Sequence, residues 1–244
     1  MAIPSIANRN NNRLLAAIPQ PIYAVLQPHL KEVTLKQRKV LFEPGDALDR
    51  IYFPQNGMIS LLIITTDGAG IEAATIGREG AVGLQRGLGK RRAFTRATVQ
   101  VGGTLSVIEA DRFEKAVHEH EVLRNTIATY TEVLLAEAQQ IAACNALHTA
   151  DARLARWLLQ TRDRIESAML PLTQEFLAQM LGVRRTTVTL VAGSLQAAGL
   201  IEYRRGRIEI LDAARLEDAA CECYGVMQHQ HLPGTIGIDL HAPA

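Results

Sequence analysis

Residues 172–191 constrain this chain more than any other stretch. Leu177, Leu181, Val183, Val188 and Val191 fall where two short crossed helices must bury side chains. Gly182 divides the two helices and can take the left-handed conformation that ends the first one sharply. Ala178 sits where they approach closely, so a larger side chain there would wedge them apart. Thr173 is placed to cap the first helix, with Glu175 in its first turn favourable to the helix dipole. The second helix opens on Arg184 and Arg185. This is the pattern of a helix-turn-helix, which sets one helix in the DNA major groove. A plain helical hairpin shares the same periodicity, so the flanking residues decide.

After the second helix come Gly199-Leu200-Ile201 and then Glu202-Tyr203-Arg204-Arg205-Gly206-Arg207-Ile208-Glu209-Ile210-Leu211. Ile208 and Ile210 alternate with polar residues, and Gly206 can supply a turn, so the segment reads as a β-hairpin. A helix-turn-helix followed by a basic hairpin is a winged helix. Arg204, Arg205 and Arg207 at its tip would meet phosphates, although an ordinary solvated turn can carry the same charges.

The 244 residues allow one or two domains, and 48% hydrophobic content is that of a globular protein. A net charge of +1 excludes a uniformly basic coat. Basic charge is instead concentrated at 184–207, where Glu202 is the sole acid. Three cysteines, Cys144, Cys221 and Cys223, are too few for a disulfide framework and suit a reducing cytoplasm. No signal-peptide core or membrane-spanning run is expected.

Along the chain, residues 1–13 read as a loose Asn-rich tail and 13–31 as interrupted helix. From about 33 to 110, short β-branched runs alternate with turns such as Pro44-Gly45-Asp46, Gln55-Asn56-Gly57 and Asp67-Gly68, which predicts a barrel, roll or sandwich. Residues 111–147 turn helical. Leu123, Ile127, Tyr130, Leu134, Glu137, Ile141 and Cys144 are spaced alternately four and three apart, a heptad seam suited to pairing with a second copy. Glu137 breaks that seam and needs a partner or must point aside. The same spacing also suits an amphipathic helix packed on its own β-domain. A hinge is expected at 145–149, with Thr149 capping the next helix, whose apolar side packs on the helix-turn-helix. A last helix is expected over about 213–227, and a flexible tail over 228–244.

The order of elements resembles the Crp/Fnr family of bacterial transcription regulators over roughly residues 20–227. On the β side the resemblance rests on Phe42-Glu43-Pro44-Gly45-Asp46, Ile51-Tyr52-Phe53, Gly57 and Gly77-Arg78-Glu79-Gly80-Ala81-Val82-Gly83. The more specific part is Arg153-Leu154-Ala155-Arg156-Trp157-Leu158-Leu159 together with Leu172–Ala178 and Met180–Arg185. The resemblance implies an α+β fold: an N-terminal double-stranded β-roll of the cyclic-nucleotide-binding, jelly-roll kind at 13–118, a dimerisation helix at 119–147, and a winged helix-turn-helix at 148–227. It further implies a cytoplasmic homodimer whose recognition helices read palindromic double-stranded DNA, with half-sites about one helical turn, ~34 Å, apart. RNA polymerase is a further partner the resemblance admits. Arg185 matches the family's guanine-reading arginine. Thr186 stands where many members have a base-reading glutamate, and Leu190 where they have a second arginine, so a different target sequence is expected. Arg184, Thr187 and Thr189 are secondary candidates, and Thr173 a phosphate contact. Leu123, Ile127, Tyr130, Leu134 and Ile141 would form the dimer seam.

Members that bind cyclic nucleotides hold the ribose with a Gly-Glu pair and the phosphate with Arg followed by Ser or Thr. Here the first place reads Gly83-Leu84-Gln85, without the glutamate, and the second region, 91–98, offers Arg96 and Thr98 in a different order. A cyclic nucleotide is therefore disfavoured, and the effector is an unidentified small molecule. No cysteine precedes Cys144, which closes the N-terminal iron–sulfur route. His29, His118 and His120 leave haem open but read more simply as surface histidines. Cys144 and His148, four apart, could join Cys221 and Cys223 in a metal site or thiol switch. The simpler reading is small buried residues packing a hinge, and no metal or cofactor is assigned from the sequence. Enzymatic function is not expected, since neither a phosphate loop nor a triad is present and Gly87-Leu88-Gly89 lacks a strand–helix context. The competing reading is a ligand-binding signalling module that contacts protein instead of DNA.

Overall fold

A computed structural model describes residues 11–230 except 67, 69, 90 and 91. Residues 1–10 of the tail expected at 1–13, residues 231–244 of the tail expected at 228–244, Asp67 and Arg91 lie outside the described residues. Two short helices, α1 (Arg13–Ala17) and α2 (Gln20–Leu26), precede seven strands. These are β1 (Lys31–Leu35), β2 (Val40–Phe42), β3 (Arg50–Pro54), β4 (Met58–Ile64), β5 (Gly70–Ile76), β6 (Arg96–Val101) and β7 (Gly103–Glu109). The strands form two sheets ordered β1-β7-β3 and β2-β6-β4-β5. Helices α3 (Ala110–Glu119) and α4 (Glu121–Leu147) follow, broken at His120. The remaining elements are α5 (Ala150–Ile165), β8 (Met169–Leu170), α6 (Gln174–Leu181), α7 (Arg185–Ala197), β9 (Ile201–Arg204), β10 (Arg207–Ile210), α8 (Ala213–Ala219) and α9 (Cys223–Gln230).

The chain divides into two compact units. The first contains residues up to Ile59 and from Ile76 to Thr131. Ile51, Phe53 and Ile108 share one face of the antiparallel β3–β7 pair and are buried, and Leu105 is buried on the other face. Phe113 of α3 meets Phe53 edge-on, ring centres 6.0 Å apart. Asn12, read from the sequence as tail, is wholly buried. Its side-chain oxygen accepts from the Leu15 amide at 2.9 Å, capping α1, while its amide nitrogen donates to the carbonyls of Pro54 and Gly80, both at 2.8 Å. Gly80 also lies under Tyr130, and a Cβ there would collide with the Tyr130 ring and hydroxyl.

The second unit contains Glu132 onward together with the outer part of the β4–β5 hairpin, Ser60–Thr75. Its centre is α5, whose Leu154, Ala155, Trp157, Leu158 and Leu159 are all buried. Arg153 of α5 is buried too and donates to the Leu181 carbonyl at the end of α6. Glu137, the break in the heptad, is buried and pairs with buried Arg164 at 2.6 Å. Thr149 occupies the cap position of α5 without accepting from its backbone. The single last helix expected over 213–227 is two helices, separated at Ala220–Glu222 where Cys221 turns inward, and α9 runs on to Gln230 within the segment expected to be tail.

Replacing Asn12 with alanine leaves two buried carbonyls and a helix amide without their partner. Urea denaturation should show a loss of about 1–3 kcal/mol, as a lower midpoint at unchanged slope. An unchanged midpoint would mean that this anchor contributes nothing.

Candidate nucleic-acid interface

The helix-turn-helix forms as its local sequence dictates. Thr173 accepts from the Phe176 amide at 3.3 Å and caps α6, and Gly182 ends that helix at φ 63°. Leu177, Leu181 and Val188 are buried between the helices, while Val183 and Val191 are half-buried. Arg184 is the residue before the first turn of α7. Arg184, Arg185, Thr186 and Thr189 are exposed, and Thr187 is half-buried. Thr189 donates its hydroxyl within reach of both Gln174 (3.2 Å) and the Arg185 carbonyl (3.1 Å). Leu190, one turn beyond Thr186, is 73% exposed.

The wing is a two-residue hairpin between β9 and β10, paired Arg207 to Arg204 through Ile210 to Ile201. Arg205 and Gly206 both have positive φ, 47° and 76°, the geometry that suits the twist of paired strands. The turn thus holds Arg204, Arg205 and Arg207 exposed around one concave surface. A Cβ on Gly206 would lie 3.5 Å from the Thr173 methyl, so the wing tip stands beside the first residue of the helix-turn-helix. Across 184–207, five arginines face one acid, Glu202, which pairs with Arg204 at 3.4 Å. A cationic strip beside an exposed helix start is suited to phosphates flanking a groove.

In the β-roll, Gly83 opens a short 3₁₀ turn (Leu84–Leu88), Leu84 is buried and Gln85 half-buried. Arg96 is engaged by both carboxylate oxygens of Glu43, at 3.1 and 2.8 Å, and Thr98 reaches the Lys39 carbonyl at 3.4 Å. The arginine expected to grip a phosphate is therefore already answered by an acid. The sequence reading missed Arg86, which is buried in the same turn and pairs with Asp111 at 2.6 Å and Glu114 at 2.5 Å. Nothing local signals this, because both partners lie on α3.

Leu123, Ile127, Tyr130 and Ile141 are buried within the single chain, and Leu134 is half-buried. Tyr130 packs on Gly80, and Ile141 joins Cys144, Cys221, Cys223 and Met227 in one apolar cluster. Within the single chain, four of these five positions are already covered, and Leu134 is the one left partly open. The opposite flank of α4 carries exposed Leu135, Ala142, Ala143, Ala146 and Leu147, the last 78% exposed.

Two family models match. A cyclic nucleotide-binding domain covers residues 32–120, and a Crp-like helix-turn-helix domain covers 152–219. The chain thus carries both of the domains that its Crp/Fnr resemblance implies. It is 25% identical over 211 residues to the global nitrogen regulator of Synechocystis sp., spanning 82% of this chain and 92% of that one. FixK2 from Bradyrhizobium japonicum superposes with a TM-score of 0.68 at 17% identity, covering 79% of this chain and 98% of that one. CLP from Xanthomonas campestris, a regulator responsive to c-di-GMP, gives 0.63 at 17% identity, covering 80% and 100%. The chain is thus a DNA-binding transcription regulator of Crp/Fnr type. Among the described residues, no helix is long and apolar enough to cross a membrane.

Two further groups of side chains in the second unit stand out in this Crp/Fnr chain. Cys144 and Cys221 bring their sulfurs to 3.5 Å, and Cys223 brings its sulfur to 3.5 Å from His148 Nδ1. The Cys221 hydrogen bond pulls the Cys144 thiol down to about 4, and its sulfur in turn raises His148. The same hydrogen bond, with burial, pushes Cys221 up. The second group is beside α5, where buried Glu72 accepts from Ser60 and from the Trp157 indole, both at 2.8 Å.

Burial pushes the Glu72 carboxyl up from 4.5 to about 7. Folding then costs most where the carboxylate is ionised, so this group's contribution falls as pH rises from about 4.5 to about 7 and is flat above. Thermal midpoints measured across that range should decline in the native chain and decline less in Glu72→Gln. Parallel pH profiles in the two proteins would refute the assignment.

Proposed function

We propose that this chain acts as a homodimer that reads palindromic double-stranded DNA, under control of a small-molecule effector at the β-roll. The parts are a sensor at 13–118, a dimerisation helix at 119–147 and a DNA-binding domain at 148–227. The observation that carries the reading is the exposed start of α7, with Arg184, Arg185 and Thr186 free of the core and the wing arginines alongside. Arg185 pairs bidentately with guanine. Arg184, Thr187 and Thr189 are secondary contacts, Thr186 meets a thymine methyl or a phosphate, and Leu190 makes apolar contact only. Thr173, Arg204, Arg205 and Arg207 hold phosphates.

The two copies pair through the outward flank of α4, where Leu135 and Leu147 are exposed, since the opposite seam is occupied within each chain. The effector is not a cyclic nucleotide bound in the usual way, because Gln85 replaces the ribose-binding glutamate and Glu43 neutralises Arg96. Gly83, Leu84, Gln85, Arg96 and Thr98 mark the effector region. Such a ligand shifts the dimer only through differential affinity for two arrangements of it. The protein works in the cytoplasm, where the DNA and RNA polymerase are.

Arg185→Ala should reduce discrimination between a selected duplex and a random one by about 1–3 kcal/mol, while Arg205→Ala should weaken both alike and lower the salt dependence. Equilibrium binding at several salt concentrations measures both. Unchanged discrimination in Arg185→Ala would place recognition elsewhere, and no salt-dependent binding at all would favour a protein partner.

A further inference from the structure

We propose that Cys144, His148, Cys221 and Cys223 form a tetrahedral Cys₃His site for one Zn²⁺ ion. The four residues come from separate parts of the second unit. Cys144 closes the last turn of α4, His148 follows that helix, Cys221 lies between α8 and α9, and Cys223 begins α9. All four donor atoms lie within 4.8 Å of one another. Zinc–sulfur bonds of about 2.3 Å in tetrahedral geometry place neighbouring donors about 3.5–3.8 Å apart. The Cys144–Cys221 and Cys223–His148 separations are both 3.5 Å.

The surroundings are those of a metal centre as well. His148 directs Nδ1 at the cluster and its other nitrogen, Nε2, at Glu222 Oε1, 3.0 Å away. A carboxylate behind a ligating imidazole fixes the ring and raises its basicity. Gln140 donates to the Cys223 sulfur at 3.0 Å. Three thiolates and a neutral imidazole around Zn²⁺ carry one net negative charge, and Arg153 and Arg156, both buried on α5, act electrostatically on Cys144. Apolar hinge packing explains three small buried sulfurs. It does not explain a histidine aimed at them with an acid behind it. A Cys144–Cys221 disulfide would leave Cys223 and His148 facing each other without a role. The ion would pin the end of α4 to α9. It would also neutralise charge beside Arg153, which holds the Leu181 carbonyl at the turn of the helix-turn-helix.

The test uses the full chain, purified without a metal-affinity tag under reducing, anaerobic conditions. Elemental analysis should find about one zinc per chain, the stoichiometry of a closed four-ligand site. Cobalt exchanged into the site should give the visible absorption of a tetrahedral ion together with sulfur-to-metal charge transfer. Cys223→Ser and His148→Gln should lose the ion. Glu222→Gln changes an exposed, non-ligating side chain, so it keeps the fold and should weaken zinc about 10–100-fold in chelator competition. In the wild type, chelation should make all three thiols reactive to maleimide. Zinc below about a tenth of an equivalent, with no cobalt spectrum after metal is supplied, would overturn the site. So would a Cys144–Cys221 disulfide in protein alkylated at lysis, or Glu222→Gln binding zinc as tightly as the wild type.

Discussion

The hydrogen bond from Arg153 to the Leu181 carbonyl is the interaction on which the DNA-reading geometry turns. A helix leaves its last carbonyls without partners in the helix; at the end of α6 the Gly182 and Val183 amides answer those of Ala178 and Gln179, while the Leu181 carbonyl needs another donor. Arg153 supplies one from the neighbouring α5, with its positive charge against the negative end of the α6 dipole. Burial works against that charge, lowering the Arg153 pKa, and the anionic character of the cysteine cluster works for it. With the end of α6 held, the turn at Gly182 and the start of α7 are fixed. Arg184 and Arg185 can then leave the core without taking the helix with them.

The same region was legible in the sequence because its determinants are local. The cap at Thr173, the turn at Gly182 and the spacing of Leu177, Leu181 and Val188 all lie within a few residues of what they control. The wing was legible for the same reason, with Gly206 marking a turn between alternating strands. The long helix was legible as a helix, but a heptad records only that one face is apolar, not whose surface covers it. Leu123, Ile127 and Tyr130 meet that requirement inside their own chain. Asn12 was hidden because its partners, Pro54 and Gly80, are 42 and 68 residues away. The break between α8 and α9 was hidden too, since Ala219 and Ala220 favour helix and only the inward turn of Cys221 interrupts it.

In the β-roll the arginines nearest the resemblance's ligand positions are engaged within the protein. Arg96 faces Glu43, and Arg86 is drawn down onto Asp111 and Glu114 of α3. Charges that an anionic ligand would answer are answered by the protein. In the second unit, buried Glu72 and the Cys144 cluster both flank α5, the helix that carries Arg153. Ile71 of the hairpin lies against the turn of the helix-turn-helix, within 2.9 Å of where a Cβ on Gly182 would sit.

The central claim is that two copies present their α7 helices at groove spacing. Selection of bound duplexes from random DNA, followed by insertion of base pairs between the recovered half-sites, tests it most directly. The account predicts tight binding at a centre-to-centre spacing of about 10–10.5 base pairs, its loss when about half a turn is inserted, and partial recovery at a full turn. Affinity that is indifferent to spacing, or a recovered site with a single half, would contradict it.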